Sequence, residues 1–115
     1  MIVIYHNNRC SKSRLCLDLI KKSNNDYKVI EYLKEDLSVN NIKEIVYGLV
    51  GKINEIVRTN EKEIKKVKVD FTNKDSIIKL IAKYKICMQR PIIRVNEKFI
   101  ICRPPEKILK IRIAL

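Results

Sequence analysis

Ile2-Val3-Ile4-Tyr5-His6-Asn7-Asn8-Arg9-Cys10-Ser11-Lys12-Ser13-Arg14 is the stretch that decides how this chain folds. Its first four residues are an apolar run, rich in β-branched side chains, that suits a buried strand. The run stops at the polar segment His6 to Ser11. A helix is expected over residues 12–22, with Leu15, Cys16, Leu19 and Ile20 on one face. Ser23-Asn24-Asn25-Asp26 reads as a turn, and residues 27–32 as a second strand around Val29 and Ile30. Strand–helix–strand is the unit that builds a parallel pair with a right-handed crossover. The opening therefore calls for an α/β fold.

Working outward, the middle is helical. Ser38 can cap a helix carrying Ile42, Ile45, Val46 and Leu49, expected to end near Gly51. A short helix through Ile53, Ile56 and Val57 follows, then a charged stretch of weak periodicity over residues 59–68. Ile77, Ile78, Leu80, Ile81 and Tyr84 mark another amphipathic helix over 74–85, capped by Thr72 or Asn73. The end returns to strands: residues 91–95 and 98–102 are β-branched runs joined at Asn96-Glu97, a hairpin signal. Pro104-Pro105 then opens a last helix through Ile108 and Leu109. The order is β-α-β, an all-helical insert over about 38–86, then β-β-α, in one domain spanning residues 1–115. With a cysteine just past the first strand and a proline starting the third, this order resembles the thioredoxin-like plan.

Composition narrows the function. A chain of 115 residues, 46% hydrophobic, is globular in character. No apolar stretch approaches the roughly 20 residues of a membrane-spanning helix. The N-terminus carries no export signal, so a cytoplasmic location with reduced thiols is expected, and no membrane partner. The four cysteines, at 10, 16, 87 and 102, form no C-x-x-C pair and have no histidine cluster beside them, so no metal site is expected. The net charge of +12 favours anionic partners. Compositional drift is the simpler and preferred explanation, since Ile, Lys and Asn alone supply 48 of 115 residues. No helix-turn-helix, zinc or RNP-like motif accompanies the charge, so no specific nucleic acid is expected.

The chemistry lies at Cys10. A thiolate at a strand-to-helix junction meets unsatisfied backbone N–H groups and the positive end of a helix dipole, which lower its pKa. Arg9, Lys12 and Arg14 add positive field, and His6 is close enough in sequence for its imidazolium to do the same. Residue type alone also allows Cys10 to be a small buried hydrophobe. The loop's consecutive N–H groups are in addition an anion cradle.

Residues 6–14 resemble the signature loop of the glutaredoxin-coupled arsenate reductase family. Three further segments match in order and spacing: Val57-Arg58-Thr59-Asn60, Gln89-Arg90-Pro91-Ile92 and Cys102-Arg103-Pro104-Pro105-Glu106. The resemblance runs from the first strand to the last helix. It implies that Cys10 attacks arsenate, that His6 lowers the Cys10 pKa, and that Arg58, Arg90 and Arg103 clamp the oxyanion. Asn7, Ser11, Ser13, Arg14 and Pro91 would be supporting residues, with Pro91 matching the family's cis proline. It further implies glutathione as co-substrate, glutaredoxin as partner and no bound cofactor; a monomer is expected. Guanidinium forks suit this task because they bind tetrahedral oxyanions bidentately.

Two departures stand out: Asn8 occupies the place of a family proline, and the insert is poor in the usual Gly and Leu. Arg94 and Arg112 lie on none of the motifs and read as surface charge. Cys16 reads as core. Cys87 and Cys102 precede Arg90 and Arg103 closely enough to approach the site. The alternatives are another substrate on the same thiol chemistry, or an RNA-polymerase-binding regulator of the same fold. Regulators of that kind carry Cys-x-x-Cys at the loop, where this chain has Ser13.

Overall fold

The computed structural model describes residues 1–113, with side chains as far as Ile111; the surface reading of Arg112 lies outside the described side chains. The elements are β1 (Ile2–Tyr5), α1 (Ser11–Lys21), β2 (Tyr27–Ile30), α2 (Val39–Tyr47), α3 (Lys74–Lys83), β3 (Ile92–Val95), β4 (Lys98–Ile101) and α4 (Lys107–Ile113). Three 3₁₀ turns, Ile53–Ile56, Lys62–Lys66 and Lys85–Cys87, punctuate the connections around α3. The sheet runs β2-β1-β3-β4, with β1 parallel to β2, antiparallel to β3, and β3 antiparallel to β4. This is the expected β-α-β and β-β-α arrangement with helices between the halves, the thioredoxin-like plan.

The two-residue period of the strands divides the core. Ile2, Ile4, Ile93 and Val95 pack with Cys16, Ile20, Cys102 and Ile108 under α1 and α4. Tyr5, Ile92 and Phe99 face the opposite side, where Ile42, Ile45 and Val46 of α2 and Ile77, Leu80 and Ile81 of α3 close over them. Each sheet face is thus covered by helices, and a strand buried on both faces needs the continuous apolar runs seen here.

Local details differ from expectation. In α1 the buried stripe is Ser13, Cys16 and Ile20, while Leu15 points outward at 53% exposure. A polar residue occupies the stripe because, as described below, the site needs it there. Ser38 caps α2 through a reciprocal box with Asn41, as its sequence position implies, and Asn73 caps α3. However, α2 stops at Tyr47, with Gly48 rather than Gly51 at its end. Gly48 lies against β4: Phe99 N–H donates to the Gly48 carbonyl at 3.0 Å. A Cβ there would stand 2.8 Å from the Phe99 ring and 2.9 Å from the Glu44 carbonyl. Overpacking of this kind costs about 1–3 kcal/mol. Gly48→Ala is therefore expected to lower the unfolding free energy by that much, read as a lower urea midpoint at unchanged slope; an unchanged midpoint would show that the helix end can give way.

Among the described residues, no helix is long and apolar enough to cross a membrane, and no cluster of three or more His, Cys, Asp or Glu is placed to hold a metal.

Candidate active site

Strand register gathers the site. Tyr5 pairs with Ile30 on one side and Ile92 on the other, and Ile92 pairs with Ile101. The residues that follow β1, β2 and β4 and those that precede β3 therefore emerge at one edge. That edge is the carboxyl end of the parallel pair, where open α/β sheets bind ligands. It carries the loop from His6 to Cys10, the segment from Glu31, Arg90-Pro91 and Cys102-Arg103. The last two pairs are fastened together: Cys102 N–H donates to the Pro91 carbonyl at 3.0 Å and Arg103 Nε to the Arg90 carbonyl at 2.7 Å. The Arg90–Pro91 bond is cis, and so is Arg103–Pro104.

Cys10 is the N-cap of α1, in extended conformation, with its thiol partly exposed. Partial burial works against its thiolate, but is overcome by the nearby backbone N–H groups of Ser13 and Lys12 and by the positive guanidiniums of Arg103 and Arg90. The net effect lowers its pKa. Arg103 Nη2 stands 3.5 Å from Sγ. The other three thiols are buried. Cys16 is pushed up by its hydrogen bond with Cys102 and then by burial, and Cys87 by burial and then by Glu63 and Glu61. Because a lowered pKa raises the thiolate fraction at neutral pH, iodoacetamide should alkylate Cys10 selectively. Its rate should titrate with a midpoint below the ordinary thiol value of about 8.5. A midpoint at that value would remove the activated thiolate.

His6, only 2% exposed, does not face the sulfur. Its Nδ1 lies 2.6 Å from Ser13 Oγ and its Nε2 3.4 Å from Asn8 Oδ1. Ser13 Oγ also accepts the Asn7 N–H at 3.2 Å. His6 thus reaches Cys10 through Ser13, whose backbone N–H supports the thiolate. Both His6 ring nitrogens turn to Ser13 and Asn8 rather than to the sulfur. This explains the buried serine on α1. Asn7 receives the Cys10 N–H on its carbonyl at 3.0 Å and the Arg9 N–H on Oδ1 at 3.1 Å. Arg14 Nη1 donates to the Asn8 carbonyl at 2.9 Å, pinning the loop from outside in the place where proline would have stiffened it. Ser11 opens α1, exposed, with its side chain unused.

Arg90 is buried to within 8% of its surface. Its Nη1 donates to the Ile86 carbonyl at a long 3.4 Å, and its Nε has no partner. Buried donors are normally satisfied, so this guanidinium is underused within the protein. Arg58 sits beside it without touching Cys10. An antiparallel bridge between Val57 and Met88 sets the two segments side by side, and Arg58 N–H donates to the Cys87 carbonyl at 2.7 Å. Its guanidinium is held by Glu61 at 3.3 Å and Gln89 Oε1 at 2.9 Å. Gln89, quoted only as part of a motif, thereby acquires a role: it orients Arg58 and also accepts the Arg90 N–H at 3.3 Å. Nothing in the sequence assigns it that bond. Arg94 lies elsewhere, on the α2 side of the sheet over the Phe99 ring and 3.7 Å from Glu44. A cleft of about 470 Å³ flanks the loop, lined by Arg9, Leu33, Lys34, Ile86 and Arg90 among others.

A model described as the ArsC family matches residues 5–111. The chain belongs to the ArsC family. The arsenate reductase of Haemophilus influenzae is 31% identical over 113 residues, covering 96% of this chain and 97% of that protein. Among solved structures, an arsenate reductase from Vibrio cholerae superposes with a TM-score of 0.82 at 30% identity, covering 96% of both chains. A putative arsenate reductase from Yersinia pestis gives 0.80 at 31%, covering 96% of this chain and 99% of that one. This ArsC-family chain is accordingly a redox enzyme by kinship, and the fold around its cysteine loop is that of arsenate reductases.

Proposed function

We propose that this chain reduces arsenate to arsenite with electrons from glutathione and glutaredoxin, Cys10 being the nucleophile and Arg58, Arg90 and Arg103 the oxyanion clamp. One observation carries the reading: a thiol of lowered pKa stands at the open N-terminus of α1 with the Arg103 guanidinium against it and, near enough to favour its thiolate, the buried Arg90 with an unused donor. An isolated cation there would be a liability; an arriving tetrahedral anion would satisfy it.

In this reading Cys10 Sγ attacks arsenic, forming an S–As bond while an As–O bond breaks and its oxygen leaves, protonated, as water. The arginines offset the repulsion between an anionic nucleophile and an anionic substrate, which is stabilisation aimed at the reacting centre. Glutathione's sulfur then bonds to arsenic, displacing a second oxygen as water. A glutaredoxin thiol takes glutathione as a mixed disulfide, leaving the bonding pair on arsenic, now trivalent. Water releases arsenite from Cys10. In sum, arsenate and two thiols give arsenite, one disulfide and one water. No bound cofactor enters. The cleft beside the loop leaves room for a thiol co-substrate.

The test is arsenate-dependent NADPH oxidation in the presence of glutathione, glutaredoxin and glutathione reductase. Turnover that requires all the thiol components is the expected result. Folded protein that turns over no arsenate would move the reading to another oxidised substrate of the same thiol.

A further inference from the structure

The cleft beside the Cys10 loop has a charge pattern of its own. Its volume of about 470 Å³ lies within the range of small-molecule sites, about 300–1,000 Å³. Three segments of chain border it. The loop after β1 brings Arg9, the segment after β2 brings Glu31, Leu33 and Lys34, and the approach to β3 brings Ile86 and Arg90. The nucleophile adjoins it. Arg9 directly precedes Cys10, and Arg103 reaches both Cys10 Sγ, at 3.5 Å through Nη2, and the Arg90 carbonyl, at 2.7 Å through Nε.

The polar groups of the cleft are more than bulk positive charge. Lys34 Nζ stands 3.5 Å from Glu31 Oε1, with the two side chains 73% and 39% exposed. A pair so exposed does little for stability, and both charges stay open to a ligand. Arg9 is exposed as well; among the described residues only its backbone N–H has a partner, Asn7 Oδ1. Leu33 and Ile86, each partly buried against the core under α2 and α3, give the same cleft apolar surface. A ligand matched to this set carries an ammonium beside a carboxylate, a further carboxylate, and a less polar stretch. Glutathione has that pattern. An ammonium and a carboxylate share one carbon at its γ-glutamyl end, its glycine end is a second carboxylate, and methylenes and peptide groups join the two.

We propose that this cleft seats the tripeptide of glutathione, with Lys34 and Glu31 taking the γ-glutamyl zwitterion, Arg9 the glycine carboxylate, and the sulfur turned to Cys10. The assignment rests on the thiol half of the arsenate reading and on none of its arsenic chemistry. Small neutral thiols gain nothing from these charges, so the cleft selects among thiols by charge pattern.

Oxidised glutathione tests the seat without arsenate. The Cys10 thiolate attacks one of its sulfurs, a Cys10–glutathione disulfide forms, the original S–S bond breaks, and the second glutathione leaves as thiolate. Hydroxyethyl disulfide undergoes the same exchange without charged groups and so reports the reactivity of Cys10 alone. The readout is the ratio of the two rate constants. Lys34→Met and Arg9→Met should each lower it about tenfold, the scale of one hydrogen bond to a charged group. Lys98→Met removes the same charge beside the β3–β4 hairpin, at the sheet edge opposite the site, and should leave the ratio unchanged. Glu31→Gln supplies the sharper sign. It should lower the ratio although it makes the cleft more positive, whereas attraction by net charge alone would raise it.

In the coupled assay Lys34→Met should raise KM for glutathione and leave KM for arsenate unchanged. An unchanged ratio in Lys34→Met or Arg9→Met would overturn the proposal. So would equal losses in Lys34→Met and Lys98→Met, or a raised ratio in Glu31→Gln, either of which would leave only the field of a basic protein. Absence of arsenate turnover in the wild type would sink the arsenate reading, while the disulfide ratio would still decide on the cleft.

Discussion

Cys10→Ser is expected to reduce arsenate-dependent NADPH oxidation to background while leaving the protein folded. Both halves follow from the site. Serine keeps the shape but not the chemistry: its hydroxyl stays protonated under conditions where a thiol of lowered pKa ionises, so no nucleophile forms. No neighbour can substitute, because Cys16, Cys87 and Cys102 are buried, and the pKa values of Cys16 and Cys87 are raised. Stability should not suffer. Cys10 is the N-cap of α1, and serine, among the preferred caps, can accept from the same backbone N–H groups of the first turn. Thermal unfolding should therefore show an unchanged or slightly higher midpoint, corresponding to a gain of up to about 1 kcal/mol in unfolding free energy. Residual turnover in a folded Cys10→Ser variant would place the nucleophile elsewhere. A collapsed midpoint would mean that the sulfur packs more than the geometry implies.

The fold was largely legible because its strands announce themselves. Ile2–Tyr5 is an unbroken apolar run and Ile92–Val95 is broken only by Arg94, as suits strands covered on both faces, and local caps at Ser38 and Asn73 mark helix starts without tertiary help. What could not be read depends on contacts distant in sequence. The end of α2 is set by Phe99 crowding Gly48, a contact 51 positions away that no local pattern encodes. Leu15 was expected inward from its spacing, but the stripe it would share is rotated toward Ser13, which His6 requires. The site shows the same division. Cys10 and its loop are contiguous, so their chemistry can be reasoned from one segment. Arg58, Arg90 and Arg103 depend on strand register to meet, and only the resemblance of four motifs singled them out from the other arginines. Gln89 had no signal: an amide becomes informative only when its partner, Arg58, is known.

Arg90→Ala is the arginine substitution expected to cost most. The three candidates are not equivalent. Arg58 shares its charge with Glu61 at 3.3 Å and does not touch Cys10, so part of its field is already neutralised. Arg103 touches Sγ but also fastens the Arg90 carbonyl, so its removal disturbs two things at once. Arg90 is buried, is near enough to favour the Cys10 thiolate and retains an unpartnered Nε, and among the described residues no carboxylate pairs with it. A preorganised donor of this kind, aimed at developing charge, is worth about 10²–10³ in rate. Arg90→Ala should lower kcat/KM for arsenate by that factor and raise the alkylation midpoint of Cys10. The sign follows because a cation that favours the thiolate has been lost. Arg58→Ala should cost less, and Arg94→Ala nothing, since Arg94 faces Phe99 and Glu44 on the other side of the sheet. The unfolding midpoint discriminates between mechanism and damage. Removing a buried, poorly satisfied charge offsets much of the packing it takes away, so activity should fall far more steeply than stability. Equal losses at Arg90 and Arg94 would show that the clamp has been assigned to the wrong arginines.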